Sequence, residues 1–232
     1  MPVALITGAS KGFGRAVALA LADRGWTLVL DARGAPALRA TAGERPGAPV
    51  TALPGDVSDP AHRAELAAAI GRPGRLDLLL NNASRLGPSP QPELRDYPLD
   101  ELRAVYEVNV LAPLALTQLA LPALTAAGGT VVNVSSDAAV EPYAGWGGYG
   151  SAKAALDALS AVLAVEQPAL RVYAFDPGDM RTDMHQQAFP GEDISDRPGP
   201  ESVVPALLRL VAERPESGRY SAGDLVVSGA SR

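Results

Sequence analysis

Tyr149 and Lys153 stand four residues apart in Trp146-Gly147-Gly148-Tyr149-Gly150-Ser151-Ala152-Lys153, at the head of an Ala/Leu-rich stretch. On a helix that spacing sends both side chains off one face, a turn apart. A free phenol titrates near pH ~10, too high to serve as a base at neutrality. A nearby ammonium favours the phenolate and lowers that value. Tyr149 could then give a proton to a carbonyl oxygen as a hydride arrives, or remove one in the reverse direction. A second chemical feature lies at the start of the chain, in Thr7-Gly8-Ala9-Ser10-Lys11-Gly12-Phe13-Gly14. Glycines there let the backbone turn tightly and approach a pyrophosphate. A helix that follows offers free N–H groups and its positive dipole end to the phosphates.

Positioning these groups requires a framework, and the hydropathy pattern supplies one. The strand candidates are Val3–Thr7, Thr27–Leu30, Val50–Leu53, Leu76–Asn81, Thr130–Val134, Arg171–Phe175 and Leu225–Val227. Several are continuous apolar runs, as expected of parallel strands covered on both faces. Between them Gly14–Arg24 reads as a helix, with Val17, Ala18 and Leu21 on one face and Gly25 as its C-cap. Ala61–Ile70, Leu99–Ala126, Ser151–Glu166 and Glu201–Arg214 read the same way. The alternation predicts right-handed βαβ units and an α/β fold: a doubly wound, Rossmann-type, seven-stranded parallel sheet flanked by helices. No linker divides the chain, so residues 1–232 read as one domain. Gly87–Pro92 is a loop, and residues 184–200, ending in the run Gly191–Pro200, are expected to form a lid.

The pattern Thr-Gly-x-x-x-Gly-x-Gly, with Tyr-x-x-x-Lys far downstream, resembles the compact branch of the short-chain dehydrogenase/reductase family over nearly the whole chain. The resemblance implies that Gly8, Ser10, Lys11, Gly12, Phe13 and Gly14 hold the cofactor phosphates and that Asp56 and Val57 contact its adenine. Asn82 and Ala83, within Asn81-Asn82-Ala83-Ser84, match a cofactor-binding Asn-Asn-Ala-Gly motif. Ser84 departs from that glycine and adds a side chain where nicotinamide and substrate would meet. Pro177, Gly178 and Thr182 resemble the segment that holds the carboxamide of the nicotinamide. Ser136, 13 residues before Tyr149, matches the catalytic serine that fixes the substrate oxygen. Ser135, of opposite strand-like orientation, is the alternative. Asn109 matches the asparagine that holds a water on the proton relay, and Lys153 would also bind the nicotinamide ribose.

Cofactor choice depends on Leu30-Asp31-Ala32-Arg33. The family's NAD-selecting acid falls at Ala32, and Arg33 falls where a base binds the 2′-phosphate of NADP. Adjacent strand residues face opposite sides, so Asp31 is expected to point away from the ribose. Lys11 adds a second positive charge, and a guanidinium fork suits a phosphate. NADP(H) is therefore favoured over NAD(H).

The substrate side is expected to comprise Ser84, Glu141, Trp146, Met180 and Met184, with Val140 and Asp179 beside them. Trp146 and the methionines suggest apolar or aromatic contact. Glu141 either recognises a cationic or hydroxylated substrate or caps a solvent-facing loop. Gly145–Leu156 is most similar to sepiapterin-reductase-like and benzil-reductase-like members, which reduce vicinal dicarbonyl or side-chain ketone groups. The expectation is an NADPH-dependent reductase of small-molecule ketones or aldehydes. An NAD-dependent alcohol or sugar dehydrogenase and a non-catalytic dinucleotide-binding regulator are the alternatives.

Composition narrows the field further. A net charge of −6 argues against a general nucleic-acid or anionic-membrane surface. The chain has no cysteine, which removes disulfides, thiolate catalysis and cysteine metal sites. His62 and His185 lack metal-ligand spacing, so no metal is expected. Without a basic leader or a run of some ~18 apolar residues, a cytoplasmic protein is expected. The resemblance implies a homodimer or homotetramer built through the Asn109 and Tyr149 helices. Leu156, Leu159 and Leu163 belong either to that contact or to the subunit interior.

Overall fold

Period-two packing explains why the apolar runs become strands. In β1 (Val3–Ile6) Ala4 and Ile6 enter one apolar cluster and Val3 and Leu5 the other. Leu28 and Leu30 oppose Val29 in the same way in β2 (Thr27–Ala32), and Val50–Pro54 forms β3. In β4 (Leu78–Asn81) Leu78 and Leu80 oppose Leu79. In β5 (Thr130–Val134) and β6 (Arg171–Asp176), Val132, Tyr173 and Phe175 oppose Val131 and Val172. Each Val, Leu, Ile or Phe among them, taken fully out of water, contributes about 1.5–3 kcal/mol. The alternation demands a helical layer on each face.

The computed structural model describes residues 1–227 and supplies those layers. One face carries α1 (Gly12–Ala22). The short α2 (Ala35–Gly43) follows β2. The other face carries α3 (Pro60–Gly71), whose Leu66 and Ile70 are buried there. Next come α4 (Leu99–Tyr106) and α5 (Ala112–Ala127), then α6 (Gly147–Glu166), α7 (Asp183–Ala188) and α8 (Val204–Glu213). After β7 (Gly218–Ser221), α9 (Ala222–Val227) ends the described chain. All strands pair in parallel in the order β3-β2-β1-β4-β5-β6-β7. The order reverses between β1 and β4, where α/β sheets open a crevice beyond the strands' carboxyl ends.

Three expectations need correction. The last strand is Gly218–Ser221, paired to β6, and Leu225–Val227 lies in a helix with Leu225 buried against α8 residues. A short apolar run cannot by itself be told from a buried helix turn. The stretch expected as one helix, Leu99–Ala126, contains a wider π-helical turn at Glu107–Leu111. That stretch is also apolar and long enough, by length and composition, to cross a membrane, against the expectation of no such run; here Leu116, Ala120 and Leu124 face the core beside β4 and β5. Within the segment expected as a lid, Asp183–Ala188 is helical, begun by Thr182, whose hydroxyl accepts the His185 N–H at 3.2 Å. Of the α6 leucines, Leu156 is buried, and Leu159 and Leu163 are half-buried against core clusters.

Candidate active site

A cleft of about 660 Å³ opens beyond the carboxyl ends of the strands and is walled by residues at or just after the ends of β1 to β6, within the size range of cofactor and ligand sites. Of the cofactor residues expected, Gly8, Ser10, Lys11, Gly12, Phe13, Arg33, Asp56, Val57, Asn82, Ala83, Pro177, Gly178 and Thr182 line it, as do Tyr149, Lys153 and Ser136. Gly14 is buried beneath it. A Cβ there would come within 2.5 Å of Asn82 Nδ2 and 2.6 Å of the Gly8 carbonyl oxygen, so only glycine allows this approach. Asn82 ties the first and fourth strand ends together, donating to the carbonyls of Thr7 and Gly8 at 2.9 and 3.2 Å. Gly12 instead sits at φ +55°, a left-handed turn into α1. The N-cap residue Lys11 makes no side-chain cap, which leaves the start of α1 without that partner.

The second-strand end holds the charges that sort dinucleotides. Arg33 is exposed, lines the cleft and makes no hydrogen bond or ion pair among the described residues. Ala32 offers no acid. Asp31, expected to face away, also borders the cleft, but its carboxylate is buried and sits 2.6 Å from His62 Nε2. Burial pushes the Asp31 carboxyl up to about 6, opposed by the hydrogen bond and charge of His62. His62 packs so close to Gly55 that a Cβ there would meet its ring at 2.2 Å. Lys11 is bonded to Asp183 at the start of α7, 2.7 Å away, with both side chains exposed. These residues suit an anionic dinucleotide: an open helix terminus for phosphates and an unengaged guanidinium at the strand end.

At the other end of the cleft, α6 presents Tyr149 and Lys153 together, with Lys153 Nζ 5.4 Å from the Tyr149 ring centre. Lys153 is buried and donates to the Val134 carbonyl at 2.7 Å, and burial lowers its ammonium to about 8. Burial also pushes the Tyr149 phenol up to about 12, opposed by hydrogen bonds with Ser84 and Ser136 and reinforced by the charges of Asp176 and Asp137. The expected lowering by Lys153 is not among the causes acting on it. Ser136 gives its proton to Asp137 Oδ1 at 2.8 Å, while Ser135 is buried in the strand end.

Asn109 occupies the π-helical turn, where Pro113 has no N–H to offer the Asn109 carbonyl four residues back. Its side chain is buried outside the cleft lining and clamps the loop after β4. Oδ1 accepts from the Arg85 N–H at 2.8 Å and the Ser84 hydroxyl at 3.3 Å, and Nδ2 donates to the Arg85 carbonyl at 2.9 Å. Ser84, Trp146, Met180, Met184 and Asp179 line the same cleft. Glu141 and Val140 are exposed and outside it; Glu141 accepts the Tyr143 hydroxyl at 2.7 Å. The loop-capping alternative for Glu141 therefore describes its position. Sequence reasoning missed Asp137, His185 and the ring of Phe189, 5.8 Å from Trp146 and 4.9 Å from His185. A helical reading of residues 183–188 would have brought His185 and Phe189 beside Trp146. Among the described residues no cluster of acidic, histidine or cysteine side chains could hold a metal ion.

Comparison with known proteins agrees with this geometry. Residues 2–193 match the short chain dehydrogenase family model. The chain is 39% identical over 201 residues to sepiapterin reductase of Rattus norvegicus, covering 80% of this chain and 77% of that protein. Among solved structures it is similar to a short chain dehydrogenase from Escherichia coli CFT073 complexed with NADPH, at TM-score 0.88, 33% identity and coverage of 95% and 96% of the two chains. It is also similar to an alcohol dehydrogenase from the archaeon Thermococcus sibiricus complexed with 5-hydroxy-NADP, at TM-score 0.85, 30% identity and 95% coverage of each.

Proposed function

This chain belongs to the short-chain dehydrogenase family and is an oxidoreductase, and we propose that it is an NADPH-dependent reductase of a ketone or aldehyde carbonyl on a small molecule. The observation that carries this reading is the placing of Tyr149, Lys153 and Ser136 in one cleft with the open start of α1 and the unengaged Arg33. When bound, the nicotinamide supplies the hydride. Gly8, Ser10, Gly12 and Phe13 would hold the phosphates, Asp56 and Val57 the adenine, and Asn82, Ala83, Pro177, Gly178 and Thr182 the nicotinamide end. Arg33 answers a 2′-phosphate. Asp31, already engaged by His62, is a poor acceptor for ribose hydroxyls.

Tyr149 is the proton donor in this reading. Held well above its ordinary value by burial, it is neutral at working pH, which is the form that gives a proton to a developing alkoxide. Ser136 fixes the approach of the substrate oxygen by turning its hydroxyl onto it from Asp137 Oδ1, which accepts that proton at 2.8 Å without substrate. Lys153, anchored on the Val134 carbonyl, keeps its remaining donors toward the cleft for the cofactor ribose. Trp146, Met180 and Met184 give an apolar seat for the substrate body, in keeping with a dicarbonyl or side-chain ketone. The protein is further proposed to work as a homo-oligomer through the outer faces of α5 and α6, where Leu119, Val162 and Val165 are exposed.

Tryptophan-fluorescence titration with NADPH and NADH, on wild type and Arg33→Ala, tests the reading. A charge-assisted hydrogen bond is worth about 1.5–3 kcal/mol, so NADPH binding should weaken roughly 10- to 100-fold in the variant while NADH binding stays constant. Equal or tighter NADH binding, indifferent to the substitution, would overturn the NADPH assignment and direct attention to alcohol oxidation with NAD.

A further inference from the structure

The edge strand β7 reaches the reacting end of the cleft from behind, through Arg219. Tyr220 packs on the α1 face of the sheet, so its neighbour Arg219 points to the opposite face, where α6 lies. Pairing with β6 sets Ala174 beside Arg219, and Asp176 follows two residues later on that same face. There the guanidinium meets acceptors from three segments. Nη2 donates to the Ser136 carbonyl at 2.9 Å and to Asp176 Oδ2 at 3.0 Å, and Nε donates to Asp157 Oδ2 at 3.1 Å. Asp157 stands one helical turn beyond Lys153 on α6. Asp176 ends β6, and its other oxygen, Oδ1, accepts the Gly178 N–H at 2.9 Å. Gly178, at φ +71°, makes the turn that borders the cleft after β6. The Asp157 and Asp176 side chains are 16% and 10% exposed and that of Arg219 is 31% exposed, so solvent screens these bonds less than it screens a surface pair.

We propose that Arg219 is a positioning residue for the reaction, holding the Ser136 backbone, the Tyr149–Lys153 helix and the turn after β6 in fixed relation to one another. A guanidinium suits this task because it is planar and its donors stand at set angles, so three acceptors bonded to it cannot shift independently. Two of the acceptors are carboxylates, whose charge-assisted bonds are about twice as strong as neutral ones. Proton and hydride transfer need the reacting atoms in near-attack geometry, and a displacement of about 1 Å is enough to cost roughly 100-fold in rate. Arg219 stands outside the cleft lining and acts through Ser136, α6 and Gly178. The glycine turn into α1 takes no bond from it among the described residues, so the phosphate side of the cleft should not sense its loss. The proposal rests on the reading of Ser136, Tyr149 and Lys153 as the reacting groups.

The test compares wild type with Arg219→Met, Arg219→Lys and Asp157→Asn, each checked as folded by circular dichroism. In Arg219→Met, amide hydrogen exchange of the cofactor-free protein, read by mass spectrometry, should quicken together in peptides covering 134–139, 149–157 and 175–180 and stay unchanged over 8–14. NADPH-dependent reduction of 1-phenyl-1,2-propanedione should lose about 10- to 100-fold in kcat with KM little changed. Binding of 2′,5′-ADP, followed by calorimetry, should stay constant. Arg219→Lys, which keeps the charge without the fork, should recover part of the lost kcat. Asp157→Asn should lower kcat in the same sense and add little to Arg219→Met, because groups in one network are not additive. A wild-type kcat in Arg219→Met, or exchange that quickens only around β7, overturns the positioning role. If Arg219→Met does not fold, Asp157→Asn decides: wild-type exchange over 149–157 together with wild-type kcat overturns it. Full reductase activity in Tyr149→Phe would instead overturn the reading of the reacting groups, while the exchange measurement still decides on Arg219.

Discussion

At the residue scale, Tyr149 and Lys153 are shifted in opposite senses by one cause. Burial disfavours charge on each, raising the phenol to about 12 and lowering the ammonium to about 8. The protonated pair, neutral phenol and charged lysine, therefore exists below about pH 8, and the lysine is the member that fails first as pH rises. For carbonyl reduction, kcat/KM should be level through neutrality and decline as pH passes about 8 on the Lys153 ionisation. A stopped-flow pH profile with NADPH checks this; a decline below neutrality instead would contradict the assignment. Tyr-x-x-x-Lys was legible from sequence, but the direction of the Tyr149 shift was not. Spacing shows that two groups share a helix face, whereas burial and the charges of Asp137, after β5, and Asp176, at the end of β6, come from elsewhere in the chain.

At the scale of elements, the strand ends matter more than the strand interiors. Asp31 lies near the end of β2 and His62 in the first turns of α3, 31 residues apart in sequence and 2.6 Å apart in the fold. The pair joins β2 to α3, which belong to successive βαβ crossovers, beside the cleft. His62→Ala strands a buried carboxyl, and breaking a buried pair of this kind costs about 3–5 kcal/mol. The folded-state value of Asp31 is already raised, and loss of His62 raises it further. A carboxyl so raised favours the folded state when protonated, so its stability falls as pH climbs toward the folded value. The penalty of His62→Ala should therefore be larger at pH 8 than at pH 5, as urea unfolding at the two pH values would show. An equal penalty at both would mean that Asp31 stays ionised throughout.

For the whole molecule, the outer faces of α5 and α6 are the open question. Leu119 is 47% exposed and Val162 and Val165 are 54% and 82% exposed, while the leucines of α6 turn inward. If these outer residues form the contact between chains, Leu119→Glu with Val165→Glu should reduce the mass seen by light scattering from a multiple of the chain to a single chain, with the far-ultraviolet spectrum kept. A wild-type protein already of single-chain mass would remove the oligomer from the proposal.

The sequence by itself determined what depends on neighbours along the chain: the parallel, doubly wound sheet from its apolar runs, the glycine turn entering α1, and the shared face of Tyr149 and Lys153. These are set by the two periodicities of backbone structure and by where glycine is permitted. Only the tertiary structure decided that Asp31 is engaged by His62, that Lys11 meets Asp183 from 172 residues away, that the Ser84 hydroxyl meets Asn109, and that the seventh strand is Gly218–Ser221. Such contacts join segments distant in sequence at the ends of a sheet. They follow from strand order and register, which no local pattern encodes.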